Sequence, residues 1–395
     1  MTRSSVKVNL KLVLSFFIVY PLFIPDYVKQ ITFLSTAHNI MFIISFLLII
    51  CIYVIRLSSR KLNTGIIFIL LYFLIVIISS VLNGTVNYHL FSYFAYNIGF
   101  ILLITNALHS RKELLNYFFS FYLLTYLYVI INLLVTFIYP EGLSYFKDNI
   151  NNTSARYFFG NVNTTIKYVL PGLCFALIYD AIKFKRLRKR SWFLLLLTWI
   201  TLIKTWAVTA MFGLLVFTFI IVNKIGKKQG FYTYLASLIS SIILTIFLVI
   251  FNYKSDVLAR FLLFFKKDIT FSTRDILWEN VINRIKLSPI WGYGYQVKDG
   301  LGYYIGNNSG AHNYYLDILF RGGILLLVLL IISLVFLSRI FLTEKNNLLT
   351  RILIGTVSAY FIMWITEPFN SFEYYMFSIY FVLIPNLDQL QKYYK

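Results

Sequence analysis

The chain is a succession of long apolar runs separated by brief polar punctuation. About 20 apolar residues cross the ~30 Å hydrocarbon layer of a bilayer. Runs near that length lie at Leu10–Ile24, Asn39–Ile55, Gly65–Leu82, Tyr88–Leu108, Leu114–Ile138 and Thr165–Ile182. Further runs follow at Trp192–Thr205, Ala207–Val222, Phe231–Phe251, Tyr315–Phe336, Ile352–Thr366 and Tyr374–Leu387. The pattern predicts an all-α polytopic membrane protein of about 12 transmembrane helices. Two segments break the rhythm of short connections, at 139–164 and, between the ninth and tenth helices, at 252–314. The second carries aromatic residues, glycine turns and a helical period, so a large, partly helical loop is expected there. With no internal repeat or low-complexity tract, one continuous membrane domain over 1–395 is expected.

Composition agrees with lipid as the solvent. The 395 residues are 59% hydrophobic and 13% charged, about half the charged fraction usual in soluble domains. The net charge of +21 is scattered through short loops rather than gathered on one reading face, which argues against nucleic acid as a partner. It instead sets orientation, because cytoplasmic loops collect Lys and Arg. One set of alternating loops, from Arg3 and Lys7 through the run Lys183–Arg190 to Lys392 and Lys395, holds 22 of the 36 basic residues and 4 of the 15 acids. Both termini are therefore expected in the cytoplasm, with the loops 139–164 and 252–314 outside. The N-terminal run lacks a small-residue cleavage site and reads as a retained helix. Cys51 and Cys174 fall within apolar runs and behave as small hydrophobes.

The same alternation forces the 33 residues between Arg190 and Lys224 to leave and return, although as helix they span only ~50 Å. A very short hairpin is expected, with Lys204, Thr205 and Trp206 at its tip. Lys204 there either snorkels to the interface or lines an aqueous cavity.

Candidate chemistry concentrates in the large loop. From Arg274 to Ile285, the residues Leu277, Trp278, Val281, Ile282 and Ile285 form an apolar stripe at helical spacing, and Ser272 with Asp275 has capping-box spacing. Arg274 falls on the stripe, where a guanidinium needs a carbonyl, an anion or a ligand such as phosphate. SPIWGYG at 288–294 predicts a tight turn whose backbone can approach a ligand closely. His312 would stand at the mouth of the next helix, as a general base or as an interfacial side chain. Asp317 and Arg321, four apart on a helix, can pair with each other. In the earlier outer segment Arg156 has no acidic neighbour in sequence. Glu367, near the end of the eleventh helix, is a candidate partner for one of these arginines. His38, His89, His109 and His312 lie far apart and no metal or nucleotide-binding motif is present, so no cofactor is expected. The sequons at Asn151 and Asn307 say little in so Asn-rich a chain.

These residues resemble the O-antigen polymerase and ligase superfamily of bacterial envelope glycan synthesis, the Wzy-type membrane proteins. The resemblance rests on R-x-x-x-W at Arg274 and Trp278, P-x-x-G-x-G at Pro289, Gly292 and Gly294, and H-N-x-Y-L at His312, Asn313, Tyr315 and Leu316 followed by Gly322 and Gly323. Arg156 with Gly160, Asn161 and Asn163 is similar to the family's arginine ahead of a glycine and asparagines. Two departures stand out: Lys204, Thr205 and Trp206 where many members have a Ser-Arg pair, and Arg321 where many have an acid.

The resemblance implies a metal-independent glycosyltransferase at the outer face of the bacterial plasma membrane. Its substrates would be polyprenyl-pyrophosphate-linked oligosaccharide repeat units, as both donor and acceptor. Such a polymerase of O-antigen, capsule or exopolysaccharide moves the growing glycan onto the next lipid-linked unit. Arg156 and Arg274 would hold the pyrophosphate with help from Arg284, His312 would act as base, and Asn313, Trp278 and Glu367 would complete the site. Membrane lipids, a chain-length regulator and a flippase of the pathway are the implied partners. Transfer to another acceptor by an O-antigen ligase, or transport of a lipid-linked glycan, are the alternatives that sequence leaves open.

Overall fold

The computed structural model describes residues 10–57, 64–149, 152–223, 228–251, 255–265, 274–295, 310–343, 347–369 and 372–394. Ser272 and the sequon residues Asn151 and Asn307 lie outside them, as does much of the large loop. The described chain is helical apart from one small sheet, the all-α membrane architecture that the apolar pattern predicts. Seven helices are long and apolar enough to cross a membrane among the described residues, and Leu10–Leu22, Val208–Val222 and Leu348–Trp364 are apolar but shorter. Each of the twelve runs falls on helix; the expected number of crossings rests on the sequence pattern.

The contacts divide the chain into two compact units, Met1–Lys61 with Ile98–Ala207 and Gln389–Lys395, and Leu62–Asn97 with Val208–Asp388. The first contains α1 (Leu10–Val19), α2 (Asp26–Gln30), α3 (Thr32–Ile55), the second half of α5 (Tyr88–Ala107), α6 (Arg111–Ile138), α7 (Thr164–Phe184) and α8 (Lys189–Lys204). Helix α7 is the axis of this unit, 94% buried along its apolar window, and packs against α6 and α8. By contrast α3 is only 17% buried. Its exposed Phe33, Ile43 and Leu47 are apolar side chains that a bilayer would cover. Ser110 caps α6 by accepting from the Glu113 N–H, and the Glu113 carboxylate takes two 2.8 Å bonds from Arg56. The expected turn is present: α8 ends at Lys204, Trp206 adopts φ 53°, and Ala207 N–H closes the turn on Leu202 O. Lys204 Nζ lies 5.1 Å from the centre of the Phe137 ring, a structural use of the ammonium.

The expected outer segment 139–164 folds into the small antiparallel sheet, β1 (Ser144–Asn149), β2 (Asn152–Tyr157) and β3 (Gly160–Asn161), in the order β1-β2-β3.

The second unit contains α4 (Thr64–Leu82), the first half of α5, α9 (Val208–Val222) and α10 (Gln229–Thr245), which runs on through a π turn at Ile246–Ile250. Helices α11 (Asp256–Phe264) and α12 (Arg274–Ile285) belong to the large loop. They precede α13 (Tyr314–Thr343), α14 (Leu348–Trp364) and α15 (Glu373–Phe377), the last extended by a π turn at Ser378–Leu383. The terminal α16 (Leu387–Tyr394) falls mostly in the first unit. Helix α14 is buried over most of its length against α9 and α10, while α13 packs on α4, α10 and α12.

Candidate functional site

The stripe predicted for α12 forms. Leu277, Trp278 and Val281 are buried and pack with Val249, Ala311, Leu316 and Phe320, which fixes the helix against the start of α13. Trp278 is 1% exposed within this core. Anchored in this way, α12 directs Arg274, its first residue, at the chain just past the C-terminal end of α14. There Nη1 donates to Thr366 O at 2.6 Å and Nη2 to Glu367 Oε1 at 3.2 Å. A cation suits this place, where carbonyls at a helix C-terminus carry partial negative charge. The sequence-level pairing of Glu367 with one of the arginines is thus seen with Arg274.

Asn313 reaches the same strand of chain. Its Nδ2 donates to Ile365 O at 2.9 Å, while its Oδ1 accepts from Leu316 N–H at 2.9 Å and so caps α13. The side chains of Arg274 and Asn313 therefore hold consecutive carbonyls, Ile365 and Thr366, and this brings α12 and the His312–Asn313 corner to one place. His312 has φ 48°, a left-handed conformation that costs a non-glycine residue about 1–3 kcal/mol. Its neighbours impose it: Ala311 N–H donates to Asp317 Oδ1 at 2.8 Å, and Asn313 is fixed as above. Arg284 is ten residues along α12 from Arg274, ~15 Å of helix rise, so it is not brought to the same carbonyls.

Two sequence readings need correction. The first concerns SPIWGYG, expected to approach a ligand; its backbone approaches a broken helix instead. Helix α13 is interrupted at Gly322 (φ −136°, ψ 16°) and Gly323 (φ 60°, ψ −159°). Tyr293 N–H donates to Phe320 O at 2.7 Å and Gly294 N–H to Arg321 O at 2.9 Å, while Ile324 N–H donates to Pro289 O at 2.8 Å. The turn thus supplies the backbone partners that the break removes, a requirement for buried irregular chain. Only glycine permits the contact, since a Cβ on Gly323 would sit 2.1 Å from Ile290 O and one on Gly292 would sit 2.6 Å from Phe320 O.

The second correction concerns Arg321. Asp317 is engaged by Ala311, and Arg321 pairs instead with Glu373 of α15, at 3.0 Å from Nη1 to Oε2 and 2.5 Å from Nη2 to Oε1. Both are buried. Tyr72 and Tyr93 hydroxyls donate to the same carboxylate, and Tyr295, next after the turn, stacks on Tyr93 at 4.6 Å. Burial pushes the Tyr295 phenol up to about 12, with Arg321 opposing and Glu373 adding to the shift, so it is protonated at neutral pH. Sequence reasoning missed Glu373. The available signal was an acid inside the aromatic run FEYYMF, since an ionisable side chain in an apolar segment requires a partner.

In the first unit Arg156 lies on β2, in register with Ser144 of β1 and Asn161 of β3. Gly160 takes φ 109°, and Asn161 Oδ1 accepts from both the N–H and the hydroxyl of Thr164, starting α7. The arginine of the sequence motif thus lies on β2, its glycine and first asparagine form β3, and that asparagine holds the first residue of the next helix. Among the described residues no group of three His, Cys, Asp or Glu side chains could hold a metal.

Residues 190–331 match the family described as O-antigen ligase. Over this segment the chain is similar to the O-antigen polymerase and ligase superfamily that its motifs resemble. The match implies a multi-pass membrane enzyme that transfers glycans. It covers Arg274, Trp278, Arg284, His312, Asn313 and the break in α13, and it leaves out Arg156, Glu367 and Glu373. No curated protein and no solved structure matches the chain.

Proposed function

We propose that the protein is a polysaccharide polymerase, transferring a growing glycan from its polyprenyl-pyrophosphate carrier to the next lipid-linked repeat unit at the outer face of the bacterial plasma membrane. The observation that carries the reading is the convergence of Arg274 and the His312–Asn313 corner on Ile365, Thr366 and Glu367. It puts a guanidinium, a carboxylate and an imidazole-bearing corner on one short stretch of chain, with no metal needed. Two N–H groups of Arg274 are used there, and a guanidinium has five, so it keeps donors for an anion.

In this mechanism His312 takes the proton of the acceptor sugar hydroxyl as that oxygen attacks the anomeric carbon of the donor. The bond from that carbon to the pyrophosphate breaks, and polyprenyl pyrophosphate leaves. Arg274 stabilises the charge it gains. Arg156 is proposed as a further phosphate-binding group by its motif alone. Trp278 and Asn313 act by holding α12 and the His312 corner in position, and Glu367 by orienting Arg274.

The test is the glycan ladder of cells carrying single variants. His312→Ala should slow polymerisation by ~10²- to 10⁴-fold and Arg274→Ala by ~10²- to 10³-fold, both leaving single repeat units in place of long chains. Unchanged ladders with both variants would end the site assignment.

The family's description as O-antigen ligase favours a second reading, transfer of finished chains to a separate acceptor. A deletion strain separates the two: a ligase leaves full-length chains stranded on polyprenol, whereas a polymerase leaves single units.

A further inference from the structure

The loop joining α7 to α8 is built around one buried carboxylate. Asp180 Oδ2 accepts from Arg188 N–H at 2.8 Å and from Ser191 Oγ at 2.6 Å, and Oδ1 accepts from Arg190 Nη2 at 3.0 Å. Helix α7 stops sharply at Lys185, which takes φ 56°. The guanidinium of Arg188 stacks 5.0 Å from the Phe184 ring centre, and that of Arg190 lies 5.0 Å from Tyr122 and 5.4 Å from Phe184. These cations are therefore held in place, unlike the side chains of an ordinary solvated loop. They surround a cavity of about 450 Å³ lined by Phe184, Arg186, Leu187, Arg188, Lys189 and Arg190. Four of those six residues are cationic and none is acidic. Further along α8, whose first residues line the cavity, the apolar side chains of Trp192, Phe193 and Leu196 are exposed.

We propose that this cavity binds the phosphate headgroup of an anionic phospholipid, whose acyl chains lie along the exposed face of α8. Four cations line the cavity, two of them, Arg188 and Arg190, held in place by ring contacts, and guanidinium forks are suited to phosphate oxygens. The commitment to a lipid rests on the exposed apolar side chains of α8: a soluble phosphate has no use for Trp192, Phe193 and Leu196, whereas a headgroup in the cavity brings its chains against them. Basic pockets between membrane helices are recognised in this way by anionic lipids. The site is independent of the proposed glycosyl transfer and of its residues.

The test uses the full-length protein in nanodiscs mixing phosphatidylcholine with either phosphatidylglycerol or cardiolipin, with bound lipid read by native mass spectrometry. Wild type should retain the anionic lipid and release phosphatidylcholine. Removing three charges in Arg186→Gln/Arg188→Gln/Lys189→Gln should weaken retention on the order of a hundredfold, from about 1 kcal/mol per cation near a membrane surface. Arg186→Gln alone, at an exposed position outside the Asp180 network, should give a smaller loss and decides the matter if the triple variant does not fold. Lys228→Gln, a charge loss in another loop, should change nothing. Equal retention in the loop variants and in wild type overturns the proposal. So does displacement of the lipid by millimolar inorganic phosphate, which would make the cavity a site for soluble anions.

Discussion

At the scale of single residues, the strongest constraint is the buried pair Arg321–Glu373. A carboxylate at 0% exposure that accepts from Arg321, Tyr72 and Tyr93 is satisfied only as long as every partner stays. Glu373→Ala leaves Arg321 as an uncompensated buried cation and should cost about 3–5 kcal/mol. Replacing both with apolar side chains of similar size, Arg321→Met/Glu373→Leu, removes both charges together and should recover most of that loss. Thermal unfolding in detergent distinguishes the outcomes; equal destabilisation by the single and double variants would show that the pair is not coupled in this way. The pairing was illegible beforehand for a simple reason. Arg321 and Glu373 are 52 positions apart, while Asp317 stands one helical turn away and offers the obvious local partner. Local spacing cannot reveal that Asp317 is already committed to the Ala311 N–H. Glu367 was easier, since an acid just past a helix end can serve an arginine from any nearby element, and Arg274 on an apolar stripe needed such a partner.

At the scale of elements, periodicity was read well where one face is buried. The stripe of α12 appears as core at Leu277, Trp278 and Val281 because the 3.6-residue period depends only on neighbours in sequence. The break in α13 was visible as a glycine pair but its meaning was not, since glycines in a turn serve a ligand or another backbone equally well. The structure assigns those of SPIWGYG to a backbone. Beyond the break, Ile324–Thr343 supplies 20 residues, ~30 Å of helix, enough for a crossing on its own. The short segment Tyr314–Arg321 is then free to place the His312 corner. Gly323→Ala tests this division. Its Cβ would meet Ile290 O at 2.1 Å with φ at +60°, so the turn must separate from the helix, at a cost of about 2–4 kcal/mol. Gly84→Ala is the control, because Gly84 has the same sign of φ (+63°) and nothing within 4 Å of the added atom. Its loss should be confined to the strain of the backbone. A melting temperature lowered equally by both would mean that the close contact at the break contributes nothing.

At the scale of the whole molecule, the sequence's account of orientation carries the functional proposal, because a lipid-linked glycan at the outer face must find Arg274 and His312 on that side. The argument runs through charge. Loops holding Lys112, Lys189 and Lys228 are rich in cations and poor in acids, which the positive-inside tendency assigns to the cytoplasm. The intervening loops, including α11 and the SPIWGYG turn, then face outward. Single cysteines in a background with Cys51 and Cys174 replaced make this measurable with a membrane-impermeant maleimide. Asp256→Cys and Leu287→Cys, both at exposed positions, should label in intact cells. Lys112→Cys, Lys189→Cys and Lys228→Cys should label only after the membrane is opened. The reversed pattern would put the Arg274 and His312 corner on the side where nucleotide-activated sugars are available and a polymerised lipid-linked chain is not. Glycosyl transfer from polyprenyl pyrophosphate at an outer surface would then lose its physical basis, however well Arg274 is held at Thr366 and Glu367 to meet an anion.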